Sequence, residues 1–283
     1  MNGFDTKLSF PQCPGMVPRG SQNLAQNRLL ASLPQADYEL LQSHLEPVCL
    51  TFKRSLYQAG KPIEFVYFFE TGVGSLVSRM RNGDVSEIGT IGNEGVVGLP
   101  VVFGDKQAPT SIYVQVPGRG VRIKASLFRV ALEQSLPMRT VMLLYAHAFF
   151  NQVAQSAACA HHHLLEQRCC RWLLMTHERM DSDEFLLTQE FLAMMLGVRR
   201  AGVTAVASAL QRAGLIRYTR GHIAILDRPG LKKRSCECYG VTKREFDRLL
   251  GSPKSRTHNP TLSNHRMVKS RPIAPPNNAE ACN

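Results

Sequence analysis

The apolar positions change period twice along the chain. Between Leu50 and Ala125 they fall in short β-rich runs, Phe65–Phe69, Gly74–Met80, Ile88–Ile91, Ile112–Val116 and Val121–Lys124, among which lie 11 of the 21 glycines. Such runs predict strands, with Arg81-Asn82-Gly83-Asp84 as a hairpin turn. Strands this closely spaced fit a small sandwich or barrel. After Ala125 no glycine occurs until Gly197, and the period becomes helical. Met138, Val141, Met142, Tyr145, Phe149 and Val153 form one stripe within Pro137–His161. A helix of about 25 residues is about 37 Å long. It outruns a small sandwich, so the stripe is expected to serve a partner subunit as well as the core. A second helix is predicted over Leu164–Met180, and two short ones, Asn23–Ser32 and Pro34–Leu45, precede the strands.

The ends of the chain lack periodicity. Residues 1–22 predict a flexible arm, and residues 252–283, rich in Pro, Asn, Ser and basic side chains, predict a disordered basic tail.

The stretch from Thr188 to Ile216 is the most informative. Thr188 can cap a short helix with Glu190 in its first turn and Phe191, Leu192, Met195 and Leu196 on its buried face. Gly197 supplies a tight turn, and a second helix runs to about Ala213 with Val203, Val206 and Leu210 facing inward. This is helix-turn-helix spacing. The outer side of the second helix carries Arg199, Arg200, Ala201, Thr204, Ala205 and Ser208. Two arginines at a helix N-terminus oppose the macrodipole at roughly 0.3–1 kcal/mol each, and Gly202 inside the helix costs about 1 kcal/mol relative to Ala. DNA binding accounts for both, because the start of a recognition helix enters the major groove, where Arg pairs with guanine. Gly202 would let the backbone approach a base edge or phosphate. Two short strands, Leu215–Tyr218 and His222–Leu226, then flank a basic turn and form a wing that lays Arg217 and Arg220 against phosphates.

Charge sharpens this picture. The 283 residues hold 34 Lys+Arg and 22 Asp+Glu, a net charge of +12. Of that excess, +6 lies on residues 184–251 and +4 on 252–283, leaving +2 for the rest. No apolar run approaches the ~20 residues of a membrane helix, and no signal-peptide pattern opens the chain, so a soluble cytoplasmic protein without a membrane partner is expected. Eight cysteines, Cys13, Cys49, Cys159, Cys169, Cys170, Cys236, Cys238 and Cys282, are unevenly placed and predict reduced thiols.

The order of a glycine-rich β-domain, a long helix and the segment LTQEFLAMMLGVRRAGVTAVASALQRAGLIRYTRGHIAIL resembles the Crp/Fnr family of bacterial transcription regulators over roughly residues 25–250. The β-domain matches mainly through the turn at Ala59–Pro62 and the run FVYFFETGVGSL. The resemblance implies an α+β fold: an N-terminal β-roll of jelly-roll, cyclic-nucleotide-binding-like type, a long dimerisation helix and a C-terminal winged helix-turn-helix. Its divisions are an arm (1–22), the sensor-like roll with flanking helices (23–135), the long helix and a hinge helix (136–183), the DNA-binding domain (184–251) and the tail (252–283). It further implies a homodimer on a pseudo-palindromic double-stranded DNA operator, touching RNA polymerase. On this reading Arg200 contacts guanine, Thr204 and Ser208 contact base or phosphate, and Arg199, Arg217 and Arg220 contact phosphates. Ala201 and Ala205 stand where cyclic-AMP-responsive members carry a Glu and a second Arg, so a different half-site is expected.

Cyclic-nucleotide-binding members also hold a phosphate cassette, a glycine followed by Glu and, about ten residues on, Arg beside Ser. The matching stretch here is degenerate: Gly98 is followed by Leu99 and Pro100, and Pro109-Thr110 precede Ser111. A buried phosphate without a guanidinium carries a desolvation cost of several kcal/mol, so cyclic AMP is not expected to bind in the usual way. Residues 50–125 hold neither His nor Cys, which argues against a metal in the roll. Cys159, His161–His163, Cys169-Cys170 and His177 invite a metal or redox reading, but Cys159 and His163 alone do not close a site, and Cys236-Glu-Cys238 has no second pair. Neither metal nor cofactor is expected. No paired carboxylates, nucleophile elbow or P-loop support an enzyme. The alternatives are a ligand- or protein-interaction module with a degenerate helix-turn-helix, or a metal- or redox-responsive regulator.

Overall fold

Asn27 begins the ordered packing by capping α1 (Arg28–Ser32) with its carbonyl oxygen while its amide donates to Phe69 O and Gly95 O, 2.9 Å each. The structure, a computed structural model, describes residues 26–251. The arm over 1–22, the tail over 252–283, Cys13 and Cys282 lie outside the described residues.

After α2 (Gln35–Gln42) the chain builds two four-stranded antiparallel sheets from β1 (Glu46–Leu50), β2 (Ser55–Tyr57), β3 (Phe65–Phe69), β4 (Val73–Arg79), β5 (Val85–Ile91), β6 (Val96–Val97), β7 (Ser111–Val116) and β8 (Gly118–Lys124). Their orders are β1-β8-β3-β6 and β2-β7-β4-β5. Val66 and Phe68 from one sheet share a core with Leu56, Ile112 and Val114 from the other. The pattern of apolar residues predicts neither β1 nor β2. Both are edge strands, and an edge tolerates the proline at Pro47 and a weak apolar alternation. A short α3 (Leu99–Val102) interrupts the second half of the roll, and α4 (Ala125–Gln134) packs Phe128 edge-on against Phe68 at 5.7 Å.

The long helix α5 spans Leu136–His162, 27 residues, with Ser135 Oγ accepting from Met138 N at 3.0 Å. Its predicted stripe does not serve a partner: Met138, Met142, Tyr145 and Phe149 are buried in their own chain, with Val141 and Val153 half-buried beside them. The physical reason is the last described helix, Cys238–Leu250, which lays Phe246 and Leu250 on this face. Leu136, Thr140, Leu143, His147, Phe150, Ala154, Ala157 and His161 are the exposed positions that repeat at four and three along the helix. That is the spacing of a coiled-coil seam.

Beyond α5 come α6 (Leu165–His177), β9 (Glu184–Leu186), α7 (Gln189–Leu196), α8 (Arg200–Arg212), β10 (Ile216–Thr219), β11 (His222–Ile225), α9 (Arg228–Arg234) and α10 (Cys238–Leu250). A second core gathers Leu173, Phe185, Leu192, Leu196, Val203, Leu210, Ile216 and Ile223. The wing is a three-stranded sheet ordered β10-β11-β9, one strand more than the sequence predicts. Phe246 and Leu250 of α10 join the first core while its Tyr239 joins the second, so this helix bridges the two.

The two cores are locked together. Arg179 Nη2 pairs with Glu94 Oε1 at 2.6 Å, side chains only 6% and 7% exposed, while Arg179 Nη1 donates to Thr90 Oγ1 at 2.6 Å. Breaking one partner of such a buried pair typically costs about 3–5 kcal/mol. Phe52 meets Phe191 at 5.1 Å, and Glu87 accepts from Ser75 Oγ at 2.6 Å and from Trp172 Nε1 at 3.2 Å. Burial pushes the Glu87 carboxyl up to about 7, against those two hydrogen bonds.

Candidate nucleic-acid interface

Thr188 Oγ1 accepts from Phe191 N at 3.2 Å and starts α7, and Gly197, at φ 63°, ends it. A side chain at that φ would be strained, so glycine sits where the turn needs it. Arg168 donates to Leu196 O and satisfies one of the helix's last carbonyls. The two helices meet at 110°, within the range of about 90–120° of a helix-turn-helix.

Helix α8 buries Val203, Ala207 and Leu210, with Val206 half-buried. Arg200, Ala201, Thr204, Ala205 and Ser208 are exposed on its other side, and Arg199 is exposed at its N-cap. Thr204 Oγ1 donates to Gln189 Oε1 at 2.7 Å and to Arg200 O at 3.1 Å. Gln189 therefore joins this face, a residue the sequence reading missed; its only signal is its position directly after the Thr188 cap. Gly202 does not point toward a ligand. A Cβ there would come 3.1 Å from Leu165 Cδ2, so the glycine admits α6 against α8, which corrects the expectation of a close approach to DNA.

The wing completes the surface. Thr219 pairs with His222 across the turn Arg220-Gly221, at φ 48° and 82°. Positive φ at both central residues makes a type I′ hairpin, which puts Arg220 at the tip. Gln211 Oε1 accepts from Tyr218 N at 2.8 Å and pins the wing to α8. Burial pushes the Tyr218 hydroxyl up, and the charge of Arg200 nearby pulls it the other way. Arg217 stands 3.6 Å from Glu184, both more than half exposed, a pair of little energetic worth. Arg199, Arg200 and Arg220 form no ion pair among the described residues. Three guanidiniums without an ion pair among the described residues, and two exposed hydroxyls, suit phosphates and base edges.

The roll has a different site. A cavity of about 470 Å³ lies between the sheets' open end and α5, walled by residues including Tyr57, Leu76, Leu99, Phe103, Phe149 and Val153. Gly98, Leu99 and Thr110 of the degenerate cassette line it, whereas Ser111 Oγ accepts from Ala59 N at 2.9 Å. Its walls contain no Lys, Arg or His and one acid, Asp105. Burial pushes the Tyr57 hydroxyl up to about 12, so it stays a neutral hydrogen-bonding group.

The cysteine and histidine residues divide. Cys169 and Cys170 are buried in the second core, where burial pushes both thiols up; His161 and His162 are exposed; His177 Nε2 lies 2.6 Å from Asp183. Cys159 and His163 instead meet Cys236 and Cys238, bringing together two motifs that look incomplete in sequence. Cys49 is disulfide-bonded, contrary to the expectation of reduced thiols, while Cys159, Cys169, Cys170, Cys236 and Cys238 are free.

Residues 167–234 match the Crp-like helix-turn-helix domain family. No curated protein is a significant sequence match. Among solved structures, a protein described as a transcriptional regulator of the Crp/Fnr family from Eubacterium rectale is 18% identical, with a TM-score of 0.56 over 73% of this chain and 96% of that one. FixK2 from Bradyrhizobium japonicum is 14% identical, with a TM-score of 0.58 over 68% and 98%. A transcriptional regulator of the CRP family from Thermus thermophilus is 16% identical, with a TM-score of 0.56 over 67% and 96%. These likenesses show a common fold. Among the described residues no single helix is long and apolar enough to cross a membrane.

Proposed function

We propose that this chain, which carries a Crp-like helix-turn-helix domain on the fold of Crp/Fnr transcription regulators, is a sequence-specific, non-enzymatic transcription regulator that binds double-stranded DNA in the cytoplasm. The observation that carries this reading is the exposed cationic face of α8 and the wing, on which Arg199, Arg200 and Arg220 have no ion pair among the described residues. Arg200, in the first turn of α8, reads guanine; Thr204 and Ser208 touch base or phosphate; Arg199, Arg217 and Arg220 hold phosphates. The outward seam Leu136, Leu143, Phe150 and Ala157, spaced by seven, supports a homodimer paired through α5. Two recognition helices would then read half-sites about 34 Å apart on a pseudo-palindrome. Contact with RNA polymerase follows from this role.

The regulator does not respond to cyclic AMP in the usual way. A cyclic phosphate placed in the roll cavity would meet Pro109 and Thr110 where a guanidinium is needed, and Leu99 and Pro100 where a carboxylate would hold the ribose, with Asp105 repelling the phosphate. Selection of bound duplexes from a random pool tests the function. An enriched pseudo-palindrome is expected; a pool with no sequence enrichment would instead favour an interaction module whose helix-turn-helix no longer reads DNA.

A further inference from the structure

The end of α5 and the junction of α9 with α10 are 77 residues apart in sequence at Cys159 and Cys236, yet their side chains meet in a buried cluster of their own. Cys159 Sγ lies 3.5 Å from Cys236 Sγ, and Cys238 Sγ lies 3.5 Å from His163 Nδ1. All four potential ligand atoms fall within 4.8 Å of one another. The three cysteines are at most 3% exposed.

We propose that Cys159, His163, Cys236 and Cys238 form a tetrahedral zinc site that staples the end of the long helix to the segment following the wing. Zinc–sulfur bonds of about 2.3 Å and zinc–nitrogen bonds of about 2.0–2.1 Å make a tetrahedron with edges of about 3.8 Å between sulfurs and about 3.6 Å between sulfur and nitrogen. The sulfur–sulfur and sulfur–nitrogen edges, 3.5 Å each, lie within about 0.3 Å of those lengths before any ion is added. Thiolates with one imidazole select zinc over harder cations. An iron–sulfur cluster needs its ligands spread around two or more irons, wider than this group allows.

The surroundings suit the loaded state. His163 Nε2 lies 3.2 Å from Glu237 Oε1, so a carboxylate holds the far nitrogen and leaves Nδ1 for the metal. Gln155 Nε2 donates to Cys238 Sγ at 3.0 Å, a hydrogen bond that orients the sulfur at the start of α10. Three thiolates and one neutral imidazole around Zn²⁺ would leave the site with one net negative charge. Arg171, which acts electrostatically on Cys159 and Cys236, has buried Nε and Nη1 groups without an acceptor and offers the balancing charge. Because the ligands join α5 to the far side of the winged unit, occupancy would fix the angle between the dimer helix and the DNA-reading face.

The test is elemental analysis of the untagged full-length chain purified from cells grown with both zinc and iron. About one zinc per chain is expected, falling at least tenfold in Cys236→Ser/Cys238→Ser. Should that variant misfold, chelator-treated wild type titrated with cobalt(II) gives the same answer. Thiolate-to-cobalt charge transfer with tetrahedral ligand-field bands is expected, altered in shape in His163→Cys and weakened in His163→Ala. Iron with labile sulfide, an octahedral cobalt spectrum, or metal-free protein carrying a Cys159–Cys236 disulfide would each overturn the assignment.

Discussion

On the winged unit, Arg199, Arg200 and Arg220 stand exposed with no acid paired to them among the described residues, whereas the roll cavity, about 470 Å³, is walled by groups such as Leu76, Leu99 and Phe149 and contains no cation. The same chain thus presents one cationic surface and one recess whose walls carry no cation. A β-roll does not by itself fix a ligand chemistry, because that chemistry depends on a few side chains placed in an otherwise tolerant frame. The helix-turn-helix, by contrast, presents its polar groups to solvent.

The strongest way to break the comparison is to split the dimer. Leu143→Asp/Phe150→Asp puts charges in the proposed seam while sparing the buried stripe; sedimentation should show a monomer, and operator affinity should fall by about 10²-fold or more as bivalent binding is lost. A dimer that persists would place the interface elsewhere.

The seam between roll and winged unit gives the next effect. Glu87 titrates at about 7 when buried, against an ordinary 4.5, so between those pH values the folded chain holds a proton that the unfolded chain has lost. Its contribution to stability is full below about 4.5 and disappears as pH rises through about 7, a loss of roughly 3 kcal/mol at most. Glu87→Gln should flatten denaturation midpoints across this window and exceed wild type at pH of about 8. Identical slopes in both chains would mean that the carboxyl is hydrated.

Arg200→Ala should cost about 1–3 kcal/mol on the selected operator and relax preference at one base pair. Arg217→Gln and Arg220→Gln should each lower the salt slope of binding by about one while leaving the specificity ratio unchanged; a changed base preference in either would make it a reading residue. The smallest effect is a null: cyclic AMP at millimolar concentration should leave operator affinity unaltered, and calorimetric binding in the micromolar range would contradict the cavity argument.

What the sequence made legible follows from contiguity. The helix-turn-helix, its Gly197 turn and the wing lie in one stretch of about forty residues, with every signal local. The five strands with strong apolar runs and the length of α5 were readable for the same reason. Gly202 misled because its neighbour, Leu165, comes from another helix. The stripe of α5 misled because α10, about a hundred residues on, covers it. Cys159 with His163, and Cys236 with Cys238, are each visible in the sequence but look incomplete, because nothing local says that the chain folds back to bring the two halves together.

The central claim, that α8 and the wing read DNA, is tested most directly by titrating the chain against its selected operator and an unrelated duplex between about 50 and 200 mM salt. The account predicts steep weakening on both, as several phosphate contacts require, with the operator bound about 10³-fold or more tightly throughout and much of that ratio lost in Arg200→Ala. Equal affinity for the two duplexes, or binding indifferent to salt, would contradict it.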